Sequence, residues 1–475
     1  MTDRNRTSGL ERRAFLGGAA GMASLLAPPI AQAQTQAQAQ IHVTTSSAPA
    51  GSASAITLRS TEHLVGSAVN HAHAIKAGPF VFLNGHEGFD FAAGVTATVA
   101  GESGFPDYGT PGMRREADFI LERMEQSLKS FGTDLAHTVR LDQYYTDANA
   151  VRAYHLARFA AFGKYIPPST SMIMDGCFSA KSTMTTSLLA VMPDPQWEIK
   201  PVYPQGAAFF AYSGYAPAVT ANDFVFAAGA GPDVKDVLST DPPGGPHYLW
   251  STALPIRRQA ESALKKIEIT LNAAGTSLAN CVKAHVHIAG AENFPDFIDV
   301  WNAHVGSSPA ALTVTPTKGF SATEIILSVN YILLKDGAQR KKEIIRADIP
   351  RMASYSPAVR AGELVFSPGL LPLTREGTVA GLSQGDNFQG LCLRSQLQAH
   401  ALYDHAEAIA KAAGTDMRNL VRVNYWLSDI REFPGVALAW AGRYGNAPHP
   451  FASVVTPRLP APGAAVMADF WFYAA

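Results

Sequence analysis

Cysteine is scarce in this chain, with three in 475 residues: Cys177, Cys281 and Cys392. An odd number in three separate contexts argues against a disulfide framework, and without clustered Cys and His there is no zinc pattern. Charge is scarce too. Asp, Glu, Lys and Arg make up 16% of the residues and the formal net charge is −1. With no basic run, the chain lacks the Lys and Arg that give a nucleic-acid binder its affinity for phosphate. Long apolar runs are missing, and so are a nucleophile elbow, a P-loop and a dinucleotide fingerprint; the glycine-rich PPGGPHY at 242–248 reads as an extended loop. The partner that fits best is a small, roughly neutral molecule, with no cofactor, no metal and no nucleic acid.

What is present starts with a leader. Residues 1–33 contain Arg12-Arg13, then Phe15-Leu16, a moderately apolar stretch and an Ala31-Gln32-Ala33 cleavage signature, the order of a twin-arginine export signal. The apolar part, Ala14 to Leu26, is too short and glycine-rich to cross about 30 Å of hydrocarbon. The expected location is the periplasm or outside the cell, with no membrane association once the signal is removed. Residues 34–56 are polar and repetitive and read as a flexible leader.

The remaining chain is too long for one core and is repetitive. SFGTDLAHTVRLDQYYTD (130–147), AAGTSLANCVKAHVHIAG (273–290) and AAGTDMRNLVRVNYWLSD (412–429) are versions of one segment. HAHAIKAGPFVFLNG (71–85), YAPAVTANDFVFAAG (215–229) and YSPAVRAGELVFSPG (355–369) are versions of another. Both recur at about 140 residues, the signature of three homologous domains, at 57–200, 201–346 and 347–475.

Each copy has the same internal order. A β-type run ends at a glycine, and a helix follows; in the first copy Ala117, Leu121, Met124, Leu128 and Phe131 recur every three or four residues and mark its buried face. The Gly-Thr-Asp/Ser turn caps that helix. A strand of alternating apolar and polar residues comes next, then a second helix near 148–163, 293–305 or 433–444, and two closing strands. This predicts an α+β fold with helices on one face of a mixed sheet. The other face carries Tyr144, His287 and Trp426 beside charged residues. Packing three such faces together buries them, so a monomeric single-chain pseudo-trimer is expected.

Taken together, Tyr355-Ser-Pro-Ala-Val, Tyr215-Ala-Pro-Ala-Val, the strand-end glycines Gly85, Gly229 and Gly369, and the Gly-Thr-Asp…Val-Arg segments resemble the Rid (YjgF-like) enamine and imine deaminases, homotrimers of a chorismate-mutase-like fold. The resemblance runs from about residue 60 to 475 and repeats three times. It implies ligand clefts between neighbouring units, where an early tyrosine faces an arginine that clamps the substrate carboxylate while a glutamate in the last strand places the attacking water. Tyr215 and Tyr355 match that tyrosine, and His71 takes its place in the first copy. The arginine position reads Thr170, Ala311 and Ala452, and the glutamate position Ser187, Ser328 and Asp469.

Without the clamp, anion binding falls to the polar face of the turn-following strand, where Arg140, Lys283 and Arg422 recur at one position. Either they bind a substrate anion or they form a structural interface network. His285, His287 and Asp469 are the candidate acid–base groups; the histidines read equally as interface residues, and a metal site would need ligands such as His71, His73 or His86 from another copy. His71, Tyr215, Tyr355, Gly85, Gly229 and Gly369 would line the clefts. The expected activity is hydrolysis or deamination of a small enamine, imine or related carbonyl compound. The alternatives are a non-catalytic small-molecule binder and, because chorismate-cleaving enzymes use a Rid-like fold, a lyase or hydrolase acting on a cyclic carboxylic acid.

Overall fold

In the computed structural model the described residues are 42–44, 55–67, 69–91, 93–101, 111–205, 214–233, 255–350, 356–381 and 393–475. The export signal, most of the leader, Tyr355 and Cys392 lie outside them.

Three mixed sheets account for the strands. The first contains β1 (His42–Thr44), β2 (Ile56–His63), β3 (Asn70–Ala77), β4 (Phe80–Glu87), β5 (Thr138–Tyr145), β6 (Ser169–Ile173) and β8 (Met184–Val191), while the short β7 (Gly176–Cys177) joins the third sheet. The second contains β9 (Lys200–Val202), β10 (Ala218–Ala221), β11 (Phe224–Ala230), β12 (Cys281–Ala289), β13 (Ala311–Thr317) and β14 (Leu327–Leu334). The third contains β15 (Lys342–Ile345), β16 (Ala358–Ala361), β17 (Leu364–Phe366), β18 (Leu420–Leu427), β19 (Phe451–Val455) and β20 (Val466–Tyr473). One strand order recurs in all three: β3-β4-β8-β5-β6, β10-β11-β14-β12-β13 and β16-β17-β20-β18-β19. In each, the last two strands run parallel and the others antiparallel.

Seven α-helices lie among the described residues: α1 (Ala97–Ala100), α2 (Gly112–Ser130), α3 (Ala148–Phe162), α4 (Pro255–Ala273), α5 (Phe294–Val305), α6 (Leu393–Ala412) and α7 (Phe433–Tyr444). The predicted face of α2 is the buried one, with Ala117, Leu121, Met124 and Leu128 inside. After α2, α4 and α6 the chain turns through Gly132, Gly275 and Gly414, all at positive φ, where a side chain would be strained. The following threonine locks the turn: Thr133, Thr276 and Thr415 each donate from Oγ1 to a carbonyl near the end of the last strand, Val191, Leu334 and Tyr473.

Strand alternation divides the apolar residues between two kinds of core. Val81 and Leu83 face α2 and α3 with Ile120, Met124 and Leu188. Phe80 and Phe82, one residue out of step, point the other way into a core shared by all three sheets, with Phe224, Phe226, Ile332, Phe366, Val421 and Trp471. At about 1.5–3 kcal/mol for each large buried apolar side chain, that shared core is a substantial force holding the sheets together.

Candidate functional site

The second face of each sheet presents its polar triplet to this shared interior, and the structure joins residues from all three copies there. Arg140 Nε donates to both oxygens of Asp142, at 3.0 and 3.1 Å, and its Nη2 reaches His285 Nδ1 at 2.8 Å and Asn330 Oδ1 at 3.2 Å. Arg422 donates to Asp142 Oδ2 at 3.0 Å and to the carbonyls of Leu83 and Leu188. Asp469 gathers Lys283 Nζ at 2.8 Å, Thr313 Oγ1 at 3.0 Å, Asn424 Nδ2 at 2.7 Å and His285 Nε2.

Partner chemistry fixes the protonation of His285. A guanidinium can only donate, so Nδ1 beside Arg140 carries the lone pair and the proton sits on Nε2, towards Asp469. His285 is therefore neutral; burial lowers its pKa to about 4, with Asp469 opposing. For Asp142, burial works towards a higher pKa, but Arg140 and Arg422 outweigh it and hold the group at about 2. Asp469 is likewise driven up by burial and held far below the usual range by Lys283 and His285. The Lys283 ammonium is lowered by burial, with Asp469 opposing. His287 stands two residues further along β12; burial brings its pKa to about 3, and neither ring nitrogen has a hydrogen-bond partner. All these side chains are buried, with at most 5% exposure. Arg140, Lys283, Arg422, His285 and Asp469 thus form one closed ionic network spanning the three sheets.

Strand register refines two positions in the second copy. Asp142 pairs with Thr170 on one side and Ser187 on the other, and Asn424 with Ala452 and Asp469. Their counterpart His285 pairs with Thr313 and Asn330. The clamp and glutamate positions of that copy are therefore Thr313 and Asn330, not Ala311 and Ser328, because Pro309 stands four residues before the clamp position, where Pro168 and Pro450 stand two before theirs.

The sheets meet at three seams, each where a strand-end glycine approaches the penultimate strand of another sheet. A Cβ on Gly85 would lie 3.0 Å from Phe451 O, one on Gly229 2.7 Å from Thr170 Oγ1, and one on Gly369 3.1 Å from Thr313 Cγ2. The Gly229 seam holds half-buried Tyr215, whose pKa is raised by desolvation against the opposing charge of Arg158; Arg158 itself donates to Ser169 Oγ at 2.7 Å. The Gly369 seam is lined by Phe294, Ile298, Leu312, Val314, Ser356 and Met467, none of them titratable.

The Gly85 seam is chemically the richest. A narrow cleft with room for about one water molecule is lined by Glu62, His71, His73, Gly85, His86, Glu87, Phe89, Phe91 and Arg123. His71 and His73 share a face of β3, and the rings of His73 and His86 are 5.6 Å apart. Nε2 of His71 lies 2.9 Å from Phe451 O, so the proton is on Nε2, and the bare Nδ1 is buried without a partner. Nδ1 of His73 and both ring nitrogens of His86 are also unpartnered. Burial keeps all three neutral, with His71 at about 3, His73 at about 4 and His86 well below its ordinary value. Glu87 moves the opposite way. Burial pushes its carboxyl up to about 8, against the N–H groups of Ser179 and Phe178, which donate to it at 2.9 and 2.8 Å. No group of three or more His, Cys, Asp or Glu among the described residues has metal-holding geometry. Cys177 and Cys281 are buried and free.

A protein-family model described as endoribonuclease L-PSP matches residues 205–318 and 346–467. These two stretches of the chain are similar to that family. A RutC family protein of Pyrococcus horikoshii is 24% identical over 121 residues, 25% of this chain and 88% of the relative. A YjgF/YER057c/UK114 family structure from Mycobacterium tuberculosis is 20% identical, with a TM-score of 0.23, covering 29% of this chain and 99% of that one. A chorismatase structure is 12% identical with a TM-score of 0.38, covering 60% of this chain and 78% of that one. Against the Rid pattern, the structure has Thr170, Thr313 and Ala452 at the three clamp positions, and the seam with most titratable groups is the one where His71 replaces the tyrosine.

Sequence reasoning missed Glu87, whose place two residues after a strand-end glycine carries no motif, and Arg123, one of several charges on a helix whose apolar face drew the attention. His73 and His86 entered only as distant metal ligands.

Proposed function

We propose that this chain is an exported, single-chain pseudo-trimer of three Rid units that hydrolyses the C=N bond of a small imine, or of the imine tautomer of an enamine, at the Gly85 seam. The observation that carries the reading is Glu87, a carboxyl whose burial favours its protonated form, in one cleft with His71, whose Nδ1 lone pair is buried without a partner. Environments that drive titratable groups apart in this way are a mark of acid–base sites.

In the proposed reaction Glu87 donates its proton to the imine nitrogen. Water adds to the carbon and gives a proton back to Glu87, while His71 Nδ1 accepts a hydrogen bond from the other water hydrogen. The resulting carbinolamine collapses: Glu87 protonates the amino group, the C–N bond breaks, and Glu87 recovers the hydroxyl proton. Water and imine become carbonyl and ammonia, and Glu87 ends protonated as it began. A proton carrier titrating near 8 suits work near neutral pH. His285, His287 and Asp469 take no part in this scheme, being enclosed in the interior. The Gly369 seam, with no titratable lining, serves at most to hold an apolar group.

Ammonia release from short-lived imines tests the reaction, with no release above the spontaneous rate counting against it. Export is tested separately by fusing residues 1–40 to a reporter, where Arg12→Lys with Arg13→Lys should abolish transport.

A further inference from the structure

We infer that the Gly85 seam takes imines that lack a carboxylate, uncharged or cationic, in contrast to amino-acid-derived substrates. This rests on the hydrolytic reading above and adds the substrate class. Its first support is Ala452, the clamp-position residue at this seam, which has only a methyl group to offer. The second is the state of Arg123, the one cationic side chain among the described lining residues. It is ion-paired to Glu62, lies 3.8 Å from Asp90 Oδ2 and donates to Phe89 O at 3.1 Å. The guanidinium is thus already balanced by carboxylates of the chain itself.

A substrate carboxylate entering here would meet Glu62 and Asp90 and displace one of Arg123's partners. Binding it would cost desolvation of an anion without a compensating free cation. Aromatic walls favour the opposite kind of molecule. Phe89 and Phe91 are 5.0 Å apart, and Phe178 lies 5.8 Å from Phe91; such rings receive hydrocarbon or, on their faces, a cation.

The test uses two substrates with the same hydrocarbon part, the imine of phenylacetaldehyde and the 2-imino acid of phenylalanine, generated in situ by an amine oxidase and an amino-acid oxidase. The full chain should show kcat/KM at least about 100-fold higher for the uncharged imine, the two decades that a missing guanidinium contact is worth. Glu62→Gln releases Arg123 and should narrow that selectivity about tenfold. Arg123→Met should lower both rates alike. Equal or better turnover of the imino acid, unchanged selectivity in Glu62→Gln, or a selective loss of imino-acid turnover in Arg123→Met would each overturn the inference while leaving hydrolysis intact. No release from either substrate overturns the hydrolytic reading itself.

Discussion

Replacing Asp469 by Asn should destabilise the chain, because this carboxylate ties the second sheet to the third. It receives Lys283, Thr313, Asn424 and His285, and Lys283 is completely buried. With it the interior balances three cationic side chains, Arg140, Lys283 and Arg422, against two carboxylates, Asp142 and Asp469. Without it one carboxylate remains. Removing one partner of a buried pair costs about 3–5 kcal/mol, far more than the intact pair contributes, since the stranded charge has no water to turn to. In a chain of this size that corresponds to a fall in Tm of roughly 3–6 °C, read by calorimetry or circular dichroism. The companion variant is Lys283→Met combined with Asp469→Asn. It restores the original charge excess and should recover about 1–2 kcal/mol relative to the sum of the single changes. A shift within about 0.5 kcal/mol of wild type for Asp469→Asn, or strict additivity in the double variant, would refute the reasoning.

Other expectations follow from the seams and from buried titration. Gly85→Ala should cost about 1–2 kcal/mol, because Gly85 sits at φ +57 and the added Cβ would stand 3.0 Å from Phe451 O; a thermal melt measures it. His73 titrates at about 4 in the fold and 6.5 when unfolded, so the stability it contributes is complete above 6.5 and is lost as pH falls towards 4. The upper bound is about 3 kcal/mol, and His73→Gln should flatten the Tm–pH curve over that window. Glu87 has the opposite sign: with its pKa raised from 4.5 to about 8, its contribution is complete below 4.5 and is lost as pH rises through 8, so Glu87→Gln should remove that alkaline slope.

Much of the architecture was legible because it depends on local rules repeated three times. The Gly-Thr turn, the three-and-four spacing from Ala117 to Leu128 and the alternation in 281–289 all translate directly into a cap, a buried helix face and a strand. Alternation also indicated that Arg140, Lys283 and Arg422 share an inward face. Whether an inward polar face is an interior or a site depends on which residues of other copies meet it, and nothing in the order of the chain says that Asp469 closes on Lys283 and His285 across 184 residues or more. Register was harder still, since Pro309 stands two residues further from the clamp position than Pro168 and Pro450 do, and alignment on that proline gives Ala311 and Ser328 where the strands pair Thr313 and Asn330. Glu87 was invisible for a different reason: its raised pKa comes from burial beside the 178–182 segment, a property of the folded surroundings alone.

The proposed site predicts one measurement most sharply: the pH dependence of ammonia release from the uncharged imine, comparing wild type with Glu87→Gln. Wild-type kcat/KM should be level near neutrality and fall as pH rises through about 8, where Glu87 loses its proton. Glu87→Gln should be at least about 100-fold slower at every pH, in the range for loss of a general acid–base group. A wild-type rate that keeps its level past pH 9, or a Glu87→Gln variant as fast as wild type, would contradict the assignment of Glu87 as the proton carrier.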